Sequence, residues 1–293
     1  MRSIRKLYLK NAAGAQRGLN GENGIYATDL AGFGFSLGPT YADLSRGFFA
    51  TVNDANEPQN TLAFTIVLTK DAYTVHQSLM DWLAAAGTLT VVYNPTGKRE
   101  YCRDVTVSFI QKGELNQAGW LELPCSFTCT TPWYLPLPST LSMSGDGVDK
   151  SMRYDYYYDD DLRYGEDNSA SIRTVIAGSG HIPGALLLKF QGAVINPQIR
   201  LVGNVTGRTC GICRLSTTLT ASDTLEFSTR HEDAYVKRIS DNGTVTDLLD
   251  ALDLSLTPFF HIPVDEPCTL FIESDTPFSG RADILIYYYF RSV

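Results

Sequence analysis

Along most of this chain apolar and polar positions alternate with a period of two, and at one long stretch the period lengthens to that of a helix. Val75, Leu79, Trp82, Leu83 and Ala86 recur at i, i+4, i+7, i+8 and i+11, an apolar stripe that predicts an amphipathic helix over Asp71–Ala86. Asp71 in its first turn suits the exposed amides there, and Gly87 can take the left-handed cap at the other end. Leu89, Val91 and Tyr93 then alternate with Thr88, Thr90 and Val92 up to an Asn-Pro-Thr-Gly turn. Tyr101, Arg103, Val105, Val107 and Phe109 continue the alternation in a second strand, giving a long hairpin over 88–110. Beyond a polar stretch from Gly113 to Gly119, Leu121, Leu123, Cys125, Phe127 and Cys129 share one face of a third strand.

Upstream, Leu7 and Leu9 alternate with charged neighbours, Phe48, Ala50 and Val52 form a second alternating run, and Thr61–Thr69 is an apolar strand leading into the helix. The glycine-rich stretch from Asn11 to Gly38 has little pattern. Residues 1–138 are therefore expected to form a β-sandwich that carries one α-helix, 71–86, and the long hairpin. The composition changes near Leu135, and 139–179 reads as a linker or connecting strand in which Tyr154, Tyr156 and Tyr158 share a face. From 180 to 293 the chain reads as a second all-β domain, a sandwich or jelly roll. Its strands are Ala185–Phe190, Ile199–Val202, Thr224–Thr229, Cys268–Glu273 and Ile284–Phe290, with a short helical turn at Asp247–Leu254.

The order of helix, Leu-Thr-Val-Val-Tyr strand, turn, Arg-Glu-Tyr-Cys-Arg-Asp-Val strand and a last strand ending Phe-Thr-Cys-Thr-Thr-Pro-Trp-Tyr resembles the amino-terminal domain of the distal tail proteins of long, non-contractile-tailed phages and prophages. Gly192–Ile199, a later Leu-Glu-Phe-Ser-Thr strand and the Asn242-Gly243 turn resemble the carboxy-terminal galectin-like domain of that family. The resemblance implies a structural hub, a hexameric ring, single or stacked, at the distal tip of the virion tail. The protein would be made in the host cytoplasm. Implied partners are other copies of the chain, the tail tube protein, a tail-tip or tail-associated lysin protein and receptor-binding proteins. In such proteins the hairpin lies across the neighbouring subunit, so Tyr93, Asn94, Lys98, Arg99, Tyr101 and Arg103 become the candidate oligomer interface.

Composition narrows the alternatives. The 32 acidic residues outnumber the 24 basic ones, for a net charge of −8, so the concentration of Lys and Arg needed to neutralise phosphates is missing and direct nucleic-acid binding is not expected. No run of 18 apolar residues exists to span a membrane, and Arg5, Lys6 and Lys10 interrupt any signal-peptide core. Six cysteines in a cytosolically made chain are expected to be free thiols, and the single Cys210-x-x-Cys213 pair lacks the second pair that a zinc site requires.

No cofactor or metal is called for, and no catalytic residues emerge. G-x-S-x-G, H-E-x-x-H, P-loop and dinucleotide fingerprints are missing, and His76, His181, His231 and His261 are scattered. Asp159, Asp160 and Asp161 with Glu166 and Asp167 suggest calcium, yet three consecutive aspartates cannot all point inward from one strand. A carbohydrate-binding adhesion module is the alternative reading, with Arg230, His231 and Glu232 as glycan contacts; a glycan-cleaving enzyme is a third. The carboxy-terminal half has no tryptophan to stack on a sugar, and likeness of fold does not carry function.

Overall fold

The computed structural model describes residues 5–34, 40–44, 47–52, 60–143, 171–276 and 278–293. The protein is mainly β with one α-helix, and it divides into two compact units, Met1–Leu135 with Tyr289–Val293, and Pro136–Tyr288. The five aspartate and glutamate residues considered for calcium lie outside the described residues, as do the three alternating linker tyrosines.

The first unit contains β1 (Lys6–Asn11), β2 (Gln16–Gly18), β3 (Ile25–Ala31), β4 (Thr40–Leu44), β5 (Gly47–Val52), β6 (Thr61–Leu68), α1 (Ala72–Ala84), β7 (Leu89–Asn94), β8 (Tyr101–Ile110) and β9 (Leu121–Cys129). β10 (Trp133–Met143) begins in it, and β4 and β5 pair with each other. Hydrogen bonds run antiparallel in the order β1, β7, β8, β9, β6, β3. The circuit then closes through Leu19, whose N–H donates to Leu7 O at 2.9 Å and whose carbonyl accepts from Ala27 N–H at 2.9 Å. The expected sandwich is thus one continuous sheet folded over its own core. β8 is an interior strand of it: Tyr101–Val105 pair with β7 along one edge, and Val105–Ile110 pair with β9 along the other, where Cys102 also pairs with Tyr134 of β10.

Leu7, Leu9, Leu62, Ile66, Leu68, Val91, Leu121, Leu123 and Phe127 are buried inside this sheet. The helix stripe docks on the same core, with Leu79 and Ala86 buried and Val75, Trp82 and Leu83 packed against it. Observed α1 is shorter than 71–86 because Asp71 precedes it in a left-handed conformation (φ 41°) and makes no side-chain cap. Gly87, at φ 66°, turns the chain toward β7, and Ala86 O accepts from Ala12 N–H at 3.1 Å. Phe290 and Val293 add to this core from the far end of the chain.

The second unit contains β11 (Ser171–Ile176), β12 (Ile182–Ile195), β13 (Gln198–Gly203), β14 (Thr209–Arg214), β15 (Thr218–Leu219), β16 (Thr224–Arg230), β17 (Asp233–Ile239), β18 (Val245–Asp247), β19 (Cys268–Glu273) and most of β20 (Ser279–Phe290). The helical turn expected at Asp247–Leu254 is a 3-10 turn, Leu249–Ala251. One sheet has the order β18, β17, β16, β12, β20 and the other β11, β19, β13, β14. Phe260 lies between them, its ring 5.8 Å from that of Phe227 on β16, and its Cβ against Gly211 on β14. Among the described residues no helix is long and apolar enough to cross a membrane.

Gly211 tests this two-layer packing. A Cβ there would stand 2.1 Å from Phe260 Cβ, so Gly211→Ala must displace a buried ring between two sheets. We expect a loss of about 1–3 kcal/mol in chemical denaturation, against near-neutral behaviour for Gly207→Asn, which sits in open space.

Candidate functional surfaces

The six residues predicted for the oligomer interface part company in the structure. Tyr93 meets Phe33 edge-on at 5.0 Å and lies 6.3 Å from the Trp133 ring, inside its own unit. Asn94 is buried, its Oδ1 accepting the Gly97 N–H at 2.5 Å to shape the turn. Tyr101 packs edge-on against Phe290 at 5.3 Å. Arg103 is only 5% exposed; its Nε donates to Thr131 O at 2.9 Å and its guanidinium lies 5.5 Å from the Trp133 ring centre. Lys98 and Arg99 alone remain exposed, at the tip between β7 and β8. The signal for Arg103 was present in the sequence: it shares parity with Val105, so it had to face the core.

The opposite end of β8 carries a surface that the alternation hides. Between Val107 and Phe109 the β8–β9 register slips by one residue, because Val107 pairs with Phe127 and Phe109 pairs with Ser126. The extra residue, Ser108, rotates Phe109 out of the core stripe, where it is 53% exposed. In the following loop Leu115 is 42% and Trp120 44% exposed. Asn116 holds this loop rigid, its Oδ1 accepting N–H groups from Ala118 at 2.9 Å and Trp120 at 3.0 Å, while its Nδ2 donates to Glu122 at 3.1 Å. The loop also leans on α1: Tyr73 donates to Glu114 at 3.2 Å, and Lys112 Nζ sits 5.1 Å from the Tyr73 ring centre. Three large apolar side chains on a pinned loop, with Glu114 and Glu122 beside them, form a ready contact surface.

In the second unit Arg230, His231 and Glu232 come together at the turn between β16 and β17, as their adjacency requires. Arg230 is ion-paired with Glu232 and lies 4.7 Å from the ring centre of Tyr287 on β20. His231 stacks on His261, the ring centres 4.1 Å apart. A second cluster went unnoticed in the sequence because its members are 37 and 11 residues from Glu226. Cross-strand register places Lys189 of β12 and Lys237 of β17 directly opposite Glu226 of β16. Its carboxylate meets Lys189 at 2.5 Å and Lys237 at 2.9 Å, and Tyr235 donates to it at 3.4 Å. Burial pushes the Glu226 carboxyl up, but the two lysine hydrogen bonds and charges outweigh it and hold the group below the usual range.

The cysteines offer little chemistry. All six are free thiols, and burial pushes Cys102, Cys125, Cys213 and Cys268 up to about 12, far from the reactive thiolate. Cys213 is fully buried, while Cys210 shares a side-chain hydrogen bond with Cys268 of β19. Among the described residues no three His, Cys, Asp or Glu side chains are placed to hold a metal ion.

Residues 6–130, which begin with β1 and end one residue past β9, match the family model described as distal tail protein, N-terminal domain. Among solved structures, the chain aligns with a subunit of the phage P2 baseplate in its activated conformation with Ca. There the TM-score is 0.64 and the identity 12%, over 99% of this chain and 100% of that one. The Sr form of that baseplate gives a TM-score of 0.65 at 13% identity, with the same coverage. The SPP1 Dit protein (gp 19.1), described as a paradigm of the hub adsorption apparatus in phages infecting Gram-positive bacteria, aligns at 0.56 and 10% identity over 96% of this chain and 98% of that one. No curated protein sequence matches the chain.

The buried Glu226 makes a pH prediction. Its folded-state pKa is depressed, so its contribution is present above the ordinary carboxylate range and is lost as pH falls through the folded value. Glu226→Gln should cost about 2 kcal/mol at pH 7 in urea unfolding, and less at pH 2.5. An equal cost at both values would mean that packing, not charge, is what the substitution removes.

Proposed function

We propose, from the match of residues 6–130 to the amino-terminal domain of distal tail proteins, that the chain is a structural hub at the distal end of a phage tail, closed into a hexameric ring. The observation that carries the ring is the unlikeness of the two ends of β8. One end offers the basic tip Lys98–Arg99, and the other the apolar loop of Phe109, Leu115 and Trp120 beside Glu114 and Glu122. A strand of ten residues separates them by roughly 30 Å. Cyclic assembly needs two different, complementary faces on each copy, and a basic tip meeting an acid-edged apolar loop satisfies that need. Rings of this kind would join the tail tube protein to tail-tip, lysin and receptor-binding components, either singly or stacked.

The alternative, a carbohydrate-binding module built on the galectin-like second unit, has less support. Arg230 and Glu232 are already paired with each other, and Arg230 is stacked on Tyr287, so a sugar would have to compete for both. The acidic balance of the chain is compatible with a conduit to which DNA does not adhere.

Light scattering after size exclusion tests the ring. A mass near six times the 32.3 kDa of the chain is expected. Trp120→Ser with Phe109→Ser, and separately Lys98→Glu with Arg99→Glu, should each shift it toward the monomer without changing the far-ultraviolet circular dichroism. A monomer at millimolar concentration, or rings that survive both pairs of substitutions, would sink the proposed interface.

A further inference from the structure

We infer that neighbouring copies of the chain pair edge to edge through their second units, the outer edge of β18 in one copy lying antiparallel to the outer edge of β11 in the next. Among the described residues β18 ends one sheet of the second unit and β11 ends the other. The two edges lie on opposite sides of the sandwich. Beyond β18 the chain crosses to the second sheet beside β14, where Ala251 O accepts from Ser216 N–H at 2.8 Å and Asp253 N–H donates to Arg214 O at 3.0 Å. β11 closes that sheet at its other end. One copy therefore offers two different edges that face away from each other, as a head-to-tail contact requires.

The alternation of hydrogen bonds decides which backbone groups each edge presents. Ser240 N–H donates to Thr244 O and Leu248 N–H to Val236 O, both at 3.0 Å, so Val245 and Asp247 turn their N–H and C=O groups away from β17. On the other sheet Asn204 N–H donates to Pro267 O at 2.9 Å. Carried through the pairings of β13 with β19 and of β19 with β11, that phase turns Ile172, Thr174 and Ile176 toward β19 and Arg173 and Val175 outward. Laid antiparallel, the two edges bring Asp247 opposite Arg173 and Val245 opposite Val175, each pair exchanging both of its backbone hydrogen bonds and sharing one face. Val245 is 59% and Val175 65% exposed, and Asp247 and Arg173 are exposed beside them. Lys237, across from Asp247 within the copy, is turned to Glu226 at 2.9 Å. One Asp247 oxygen accepts the Leu249 N–H at 2.9 Å, and a carboxylate has acceptor capacity for an arginine as well. Like edges match badly. In the same phase β18 on β18 sets Asp247 against Val245, and β11 on β11 sets Arg173 against Val175. Charge and register together select the unlike edge of a second copy.

A contact this short is too small to hold free copies together. It acts between copies that another interface already keeps side by side, where the effective concentration is high, and so the inference rests on the proposed ring. Asp247→Arg puts like charges on the two edges, and so does Arg173→Asp. Each variant alone should need roughly tenfold more protein to assemble, read by light scattering across a dilution series of the full chain. An equal mixture of the two variants restores opposite charges at every contact of an alternating ring, and should assemble at the concentration that the unmodified chain requires. Far-ultraviolet circular dichroism checks that each variant is folded. Should either fail to fold, hydrogen exchange on the unmodified chain reads the same contact: peptides covering Ser171–Ile176 and Val245–Asp247 should gain protection on assembly, and one covering Gln198–Gly203 should not. Single variants that assemble like the unmodified chain, a mixture no better than its components, or edge peptides indifferent to assembly would overturn the inference and leave the ring standing. An unmodified chain that stays monomeric at millimolar concentration would bring down both.

Discussion

One strand with two sets of partners organises the first unit. β8 gives its first half to β7 and its second half to β9. Like any interior strand it has two edges, and Val105 uses both, pairing with Leu89 on one and Cys129 on the other. That sharing carries the sheet around Leu7, Val91, Leu123 and Phe127. The slip at Ser108 comes later, within the pairing to β9, and beyond it Phe109 stands exposed.

The second unit shows how a charge is buried on a sheet among the side chains of its neighbouring strands. Glu226 and Ser228 lie on the face opposite Leu225 and Phe227, yet they are as buried as the core residues. Lys189, Lys237 and Tyr235 reach across from neighbouring strands and supply the hydrogen bonds that make this burial tolerable. Arg200, Glu273 and Gln198 do the same on the second sheet. Polar groups occupied in this way hold neighbouring strands together.

Much of this fold was legible in the sequence. The stripe Val75, Leu79, Trp82, Leu83, Ala86 marked the helix and the face that docks, because a period near 3.6 leaves no other way to bury those five side chains together. The face Leu121 to Cys129 was legible for the same reason at period two. The failures are equally physical. The alternation Tyr101 to Phe109 runs through a bulge that nothing in Val-Ser-Phe-Ile announces. Arg103 was named for the interface with the rest of the hairpin, although its parity with Val105 places it inside. Glu226 could not be recognised as a buried ion, since its partners are set by strand register and not by spacing along the chain.

Tyr289–Val293 complete the first unit, and the whole of the second lies between them and Leu135. Synthesis on the ribosome runs from the amino terminus, so Phe290 and Val293 are the last of the described core residues to emerge. The first unit must wait, with part of its apolar interior uncovered, while about 150 residues of the second are made. Chains cut short anywhere in the second unit would lack that closing segment. The packing of the first unit is thus finished only when Phe290 and Val293, far along the chain, are in place.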